Sequence, residues 1–233
     1  MNYNERPILF NADMVNALLA GRKTQTRRAL SPANIRDIYI GSKLGECHPL
    51  DQLTEKDMGY VLSFCPFGQV GDLLYVRETF SIVGDPGKLP CPHRNLVYRA
   101  DYPNCVSDHF DRDSIPPVQD VRFTPSIHMP KWASRIQLQI TNVRLEKVVN
   151  ISAQDAIAEG IEPIELESSW HAGSHTAYRD YESKSKGGIT RNCPIDSFKT
   201  LWRSTGGKWD ESVYVWAIDF KVVSTTGRLH QED

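Results

Sequence analysis

The sequence predicts an α+β fold, a small mixed β-barrel with short helices appended and long loop insertions. Three observations carry that expectation. Apolar stretches with strand periodicity outnumber those with helical periodicity. Loops rich in Gly, Pro and Asp separate the strands more often than regular crossover helices do, which disfavours a doubly wound sheet. The chain has 233 residues, 40% of them apolar, enough for one core with sizeable insertions. The boundaries expected are a single domain over 1–223, insertions near 31–67, 84–94, 101–130 and 162–192, and a polar tail over 224–233.

Taken in order, Ile8–Phe10 reads as a short strand. Asn11 or Asp13 can cap a helix through about Ala20, with Met14, Val15, Leu18 and Leu19 on its apolar face. Gly21 is the natural stop, because the residue after a helix often takes positive φ. Thr26–Leu30 can begin a strand, and Ser31–Phe67 reads as irregular insertion. Gly71-Asp72 turns into the buried strand Leu73–Val76, which ends in Arg77-Glu78. Asn95–Ala100 is a second short strand. In Arg135–Glu146, Ile136, Leu138 and Ile140 alternate with Gln137, Gln139 and Thr141, the clearest period-2 pattern in the chain. Ser152 opens a helix over Ala153–Glu159 that Gly160 ends. Glu162–Ile189 is polar insertion, Cys193–Arg203 an amphipathic helix, and Val213–Val222 a central strand.

Bulk properties exclude several classes. The formal net charge is −2, so nucleic acid can be met only by a local patch. No run of about 18 apolar residues and no leader pattern occurs, so no membrane partner and a cytoplasmic address are expected. Cys47-His48, Cys65 and Cys91-x-His93 are the soft-ligand candidates, but no Cys-x2-Cys pair or His-Glu-x-x-His cluster is present. Neither a metal nor another cofactor is expected.

The most informative segment is Leu19-Ala-Gly-Arg-Lys-Thr-Gln-Thr-Arg-Arg28. Its cations Arg22, Lys23, Arg27 and Arg28 follow a helix stop, an arrangement that can present charge to phosphates. A solvated basic turn is the plain alternative. Lys131-Trp132-Ala133-Ser134-Arg135 interleaves two cations with an aromatic, as single-strand binders do. Equally, Trp132 can pack inward with snorkelling neighbours. Arg77-Glu78 is either a site pair at a strand end or a structural ion pair with Arg27 or Arg28.

Together these blocks resemble the ASCH family, in its longer phage and prophage branch. The blocks are the Arg22-Lys-Thr-x-Thr-x-Arg28 run, Gly71-Asp72 through Arg77-Glu78, Ile140–Val143, Ile151-Ser152 through Ala158-Glu159-Gly160-Ile161, and the final strand with Trp216 and Phe220. The resemblance implies a PUA-like β-barrel linked to RNA or nucleoside handling. Smaller members hydrolyse acetylated cytidine, and their motif carries over to Lys23, Thr26 and Glu159 as catalytic residues. Other relatives are ribonucleases. On this expectation the partner is RNA or a modified nucleoside, and Arg22, Arg28, Arg77, Lys131, Trp132 and Arg135 are the nucleic-acid-binding residues. In that chemistry Lys23 serves as base, Thr26 or water attacks, and Glu159 assists proton transfer. Two further classes stay open: a non-catalytic module that reads RNA or a modified base, and a phage-encoded protein whose insertions bind a host factor.

Overall fold

The computed structural model describes residues 4–82, 96–105, 116–167, 174–183 and 190–226. Along the chain the elements are β1 (Glu5–Leu9), α1 (Ala12–Leu19), β2 (Gln25–Ala29), α2 (Pro32–Leu44), α3 (Met58–Leu62), β3 (Leu73–Arg77), β4 (Phe80–Ile82) and β5 (Leu96–Tyr98). They continue as β6 (Gln137–Lys147), α4 (Ala153–Ala158), β7 (Pro163–Glu167), β8 (Ser174–Arg179), β9 (Thr190–Arg191), α5 (Pro194–Ser204) and β10 (Tyr214–Ser224). The fold is α+β, as expected. Among the described residues no sheet closes on itself, so the barrel expectation is met only at that coarser level.

The chain divides into two compact units. The first takes its described residues from Met1–Ala20, Leu73–Gln139 and Val222–Asp233. Here β1 runs parallel to β3, from Glu5 opposite Leu73 to Leu9 opposite Arg77. On its other edge β3 pairs antiparallel with the start of β6, Leu74 opposite Leu138. The alternating apolar side chains Leu74 and Val76 of β3 are fully buried with Ile136 and Leu138. Asn11 caps α1 by accepting a bond from the Met14 amide at 2.9 Å. The β4–β5 pair, with Phe80 opposite Tyr98, packs Phe80 and Tyr98 on Met129 and Ala133.

The second unit comprises Gly21–Asp72 and Ile140–Lys221. Its strand β2 lies antiparallel to β10, from Val215 opposite Ala29 to Asp219 opposite Gln25. Its core gathers Val148, Ile151, Ala156, Ile161, Phe198, Leu201, Trp202 and Val215. That set explains α5, which is amphipathic and buries its apolar face in this cluster, and it seats α4 through Ala156. Two expectations are corrected here. The 31–67 segment is not irregular. It holds the 13-residue helix α2, with Ser31 and Asn34 forming a capping box, Pro32 in the first turn and Gly45 at φ +79 after its end. The 162–192 segment is not simply loop either, since its described residues form the antiparallel sheet β7-β8-β9. The expected Gly/Pro loop at 84–94 lies outside the described residues, as does most of the expected tail. Among the described residues no helix is long and apolar enough to cross a membrane.

Candidate functional site

The candidate site lies in the second unit and begins at Gly21, whose φ is +71. After this turn the Thr24 amide donates to the Ala158 carbonyl at 2.9 Å, and the Phe220 amide donates to the Thr24 carbonyl at 2.9 Å. Lys23 and Glu159 form an antiparallel bridge, so the segment runs alongside the exit of α4. Glu159 ends α4 because Gly160 follows at φ +87, a conformation that suits glycine. Two positive-φ glycines thus accompany the bridge between the unit's two chain segments.

Lys23 is 1% exposed and Glu159 4%. The Lys23 Nζ donates to Glu159 Oε2, to the Glu159 carbonyl and to the Gln25 carbonyl, each at 2.8 Å. Burial lowers the Lys23 pKa, while the Glu159 charge pulls it back up. The opposing like charges of Arg28 and Arg27 add to the lowering.

Around this pair lies a polar network that the sequence reading did not identify. Arg27, also buried, reaches Glu159 Oε1 at 3.4 Å, Glu146 Oε2 at 3.0 Å and Asp155 Oδ2 at 3.2 Å. Its Nη1 also donates to Gln25 Oε1. Gln25 Nε2 donates to Asp155 Oδ1 at 2.9 Å and to Asp219 Oδ1 at 2.5 Å. Arg144 closes the set through Glu146 at 2.8 Å, Asp155 at 3.5 Å and Asp219. Burial pushes the Asp155 carboxyl up, but Gln25, Ser152 and Arg27 outweigh it, so its pKa is lowered. These members come from β2, β6, α4 and β10, and no spacing in the chain announces them. Only the alternation of Gln25 and Arg27 along β2 hints that they share a face.

That alternation also bears on Thr26. It is 1% exposed and opposite Ile218, with both sequence neighbours engaged in the network on the other face of the strand. Arg28 shares Thr26's parity. Burial lowers its pKa, with Glu159 opposing.

Arg22 and Thr24 flank Lys23 and point the other way. They line a cavity of about 490 Å³ whose walls include Gln154 and Ile157 of α4, Ile161, and Tyr178 of β8. Lys23 is not among its lining residues. The Arg22 Nη1 is buried and has no hydrogen-bond partner among the described residues.

The remaining expected binding residues belong to the first unit. Arg135 is committed to a fork: Nε and Nη2 reach Glu78 at 2.9 and 3.0 Å, and Nη1 and Nη2 reach Asp101 at 2.6 and 2.8 Å. Its guanidinium also stacks over the Tyr98 ring at 3.9 Å. Burial opposes the Arg135 charge, yet the two carboxylates outweigh it and raise its pKa. The partner of Glu78 is therefore Arg135, rather than Arg27 or Arg28. Lys131 contacts Glu5 at 2.5 Å and sits over the Tyr75 ring. Arg77 donates to the Ile127 carbonyl. Trp132 is 43% exposed, so it is not the packed core residue of the plain reading.

Among the described residues no group of three or more His, Cys, Asp or Glu is placed to hold a metal ion. The candidate ligands Cys91 and His93 lie outside them. His48 instead meets Asp57 at 3.0 Å, where Asp57 also accepts from the Thr54 amide and hydroxyl. No family model matches the sequence, and it matches no curated protein and no solved structure.

Proposed function

We propose that this chain is an ASCH-type, PUA-like protein that handles RNA or a modified nucleoside, and that it hydrolyses an acylated, cytidine-type base. The observation that carries this reading is the contact of Lys23 with Glu159, 136 residues apart in sequence and buried together. These are two of the three residues that the motif resemblance nominates. The chemistry suits them. Burial weakens the hold of Lys23 on its proton, which is what a base working near neutral pH needs. Glu159 receives or returns that proton over one hydrogen bond. Arg27, on the other Glu159 oxygen, keeps the carboxylate oriented. Water is the attacking group in this mechanism, because strand alternation turns Thr26 away from the face that holds Gln25 and Arg27.

A second reading is favoured by one specific observation. Three acceptors already use all three Lys23 protons, and Arg22 and Thr24 line the cavity in its place. That is the arrangement of a binding module in which the ion pair only pins two segments together.

The deciding experiment is a mass-spectrometric screen of acylated nucleosides and short RNAs with wild type, Lys23→Ala, Glu159→Gln and Thr26→Ala, each checked for folding by circular dichroism. The hydrolase reading expects turnover that falls by several orders of magnitude in folded Lys23→Ala, since base and proton partner act as a unit. Thr26→Ala should lose far less. Binding without turnover would leave the module reading ahead. Full activity in Lys23→Ala would remove the Lys-centred mechanism.

A further inference from the structure

The cavity beside Arg22 lies on the opposite side of the 22–24 segment from the Lys23 ammonium, and the mechanism above does not use it. At about 490 Å³ it has the size that small-ligand sites take, roughly 300–1,000 Å³. Its walls are of two kinds. Ile157, Ile161 and Tyr178 supply apolar and aromatic surface. Ile157 is 47% exposed on α4, whose one buried residue is Ala156. Among the described residues Arg22 is the single charged one lining it, and Thr24 and Gln154 add neutral hydrogen-bonding groups.

The electrostatics are one-sided. Among the described residues Arg22 has no acidic partner, whereas Lys23 and Arg27 nearby are paired with carboxylates. Its Nη1 is buried with no acceptor among the described residues. A buried donor left without an acceptor does not recover its desolvation cost, so an acceptor delivered to this guanidinium is favoured. An anion suits it best, because the charge-assisted fork matches carboxylate and phosphate oxygens. The room around Gly21 helps: a Cβ built there would meet nothing within 4 Å, so space adjoins the guanidinium's own turn.

We infer that this cavity binds a mononucleotide unit, its base held against Ile157, Ile161 and Tyr178 and its phosphate on Arg22. The apolar wall and single cation call for a flat ring carrying one anionic group. The choice of a nucleotide among such ligands rests on the nucleoside-handling reading above. Thr24 and Gln154 offer a donor and acceptor set for the edge of the base. The β7–β8 sheet within the 162–192 segment supplies Tyr178, so that segment shapes the ligand site directly.

The test is isothermal titration calorimetry at low salt with CMP, cytidine, benzoate and a trinucleotide with and without a 5′-phosphate. The proteins are wild type, Arg22→Ala, Arg22→Lys and Ile157→Asp. CMP should bind at least tenfold more tightly than cytidine. Arg22→Ala should weaken CMP by about 10–100-fold, the worth of a charged hydrogen bond, and leave cytidine unchanged. Arg22→Lys should recover part of the loss, and Ile157→Asp should weaken both. A 5′-phosphorylated trinucleotide binding more tightly than CMP identifies an RNA end as the natural source, and the reverse order identifies a free nucleotide. Equal binding of CMP and cytidine, an unaltered CMP affinity in Arg22→Ala, or benzoate binding as well as CMP would overturn the inference. The two readings fail separately. Arg22-dependent CMP binding with no hydrolysis of any acylated nucleoside removes the hydrolase alone, whereas turnover unaffected by Arg22→Ala and no CMP binding removes this site alone.

Discussion

Lys23 and Glu159 carry opposite charges and are almost wholly buried, with side chains 0% and 3% exposed. Removing one partner strands the other in a low dielectric, which typically costs about 3–5 kcal/mol. Lys23→Met should therefore lower the urea midpoint strongly, and so should Glu159→Leu. The double substitution Lys23→Met with Glu159→Leu should lose much less than the sum, because no stranded charge remains and Arg27 keeps Glu146 and Asp155. Additive losses would show that the two charges are not coupled. Arg135 allows a parallel prediction. Glu78 is 1% exposed and held by the Arg135 fork, so Arg135→Ala should destabilise by a similar amount, and Arg135→Lys should restore only part. If Arg135 gripped phosphate instead, its loss would weaken RNA binding and leave the denaturation midpoint in place. These two sites show what a sequence discloses about a charge. The Arg-Lys-Thr-x-Thr run pointed at Lys23, and the Ala-Glu-Gly-Ile block pointed at Glu159. At Arg135 the sequence displayed a cation beside an aromatic but not its partners, Glu78 and Asp101, which lie 57 and 34 residues away.

Among the elements, α1, β3, β6, α4, α5 and β10 were legible within a few residues, because each has a regular apolar period and most have a recognisable cap. Helix α2 was not. Its residues Ile35, Tyr39, Ile40 and Leu44 are exposed, and only Ile38 and Gly41 are buried, so the apolar period that marks a helix is weak. What defines it is local chemistry: the Ser31–Asn34 capping box, Pro32 in its first turn and Gly45 after its end. Gly41 is the point where it packs. A Cβ at this position would lie 2.6 Å from a Tyr60 ring carbon, so the side chain must be absent for Tyr60 to seat. Gly41→Ala improves helix propensity by about 1 kcal/mol, but overpacking costs about 1–3 kcal/mol. The substitution should therefore be destabilising in the protein, while Gly41→Ala with Tyr60→Leu should relieve the loss. A more stable single variant would show that Tyr60 moves aside freely. Ser31→Ala should cost about 1 kcal/mol through the cap alone.

For the molecule as a whole, α+β was readable from the mixture of periods, and openness of the sheets was not. Closure depends on which strands pair, and the β1–β3 and β2–β10 pairings join segments far apart in sequence whose own patterns say nothing of each other. The central network was hidden for the same reason, since Glu146, Asp155 and Asp219 read singly as surface carboxylates. Their collective consequence is measurable in acid. Hydrogen bonds from Thr54 and His48 hold Asp57 well below the usual aspartate range. Asp155 is lowered despite its burial, and so is Asp180, where backbone amides of Glu182 and Ser183 and the Arg191 charge prevail. A depressed carboxyl stays ionised in the native state after the unfolded chain has taken up its proton. Its stabilisation is thus fully present above the ordinary aspartate value of about 3.9 and is lost as pH falls toward the lowered native value. Glu78 works in the opposite sense and in another window: burial pushes its pKa up, so its effect lies above the ordinary glutamate value and does not offset a loss below pH 4. The denaturation midpoint should accordingly fall steeply below pH 4. Asp57→Asn should be less stable at pH 7 yet lose less on acidification, because it has no proton to gain. A variant whose acid limb is as steep as that of the wild type would show that Asp57 does not contribute, and would leave Asp155 and Asp180 to account for the slope.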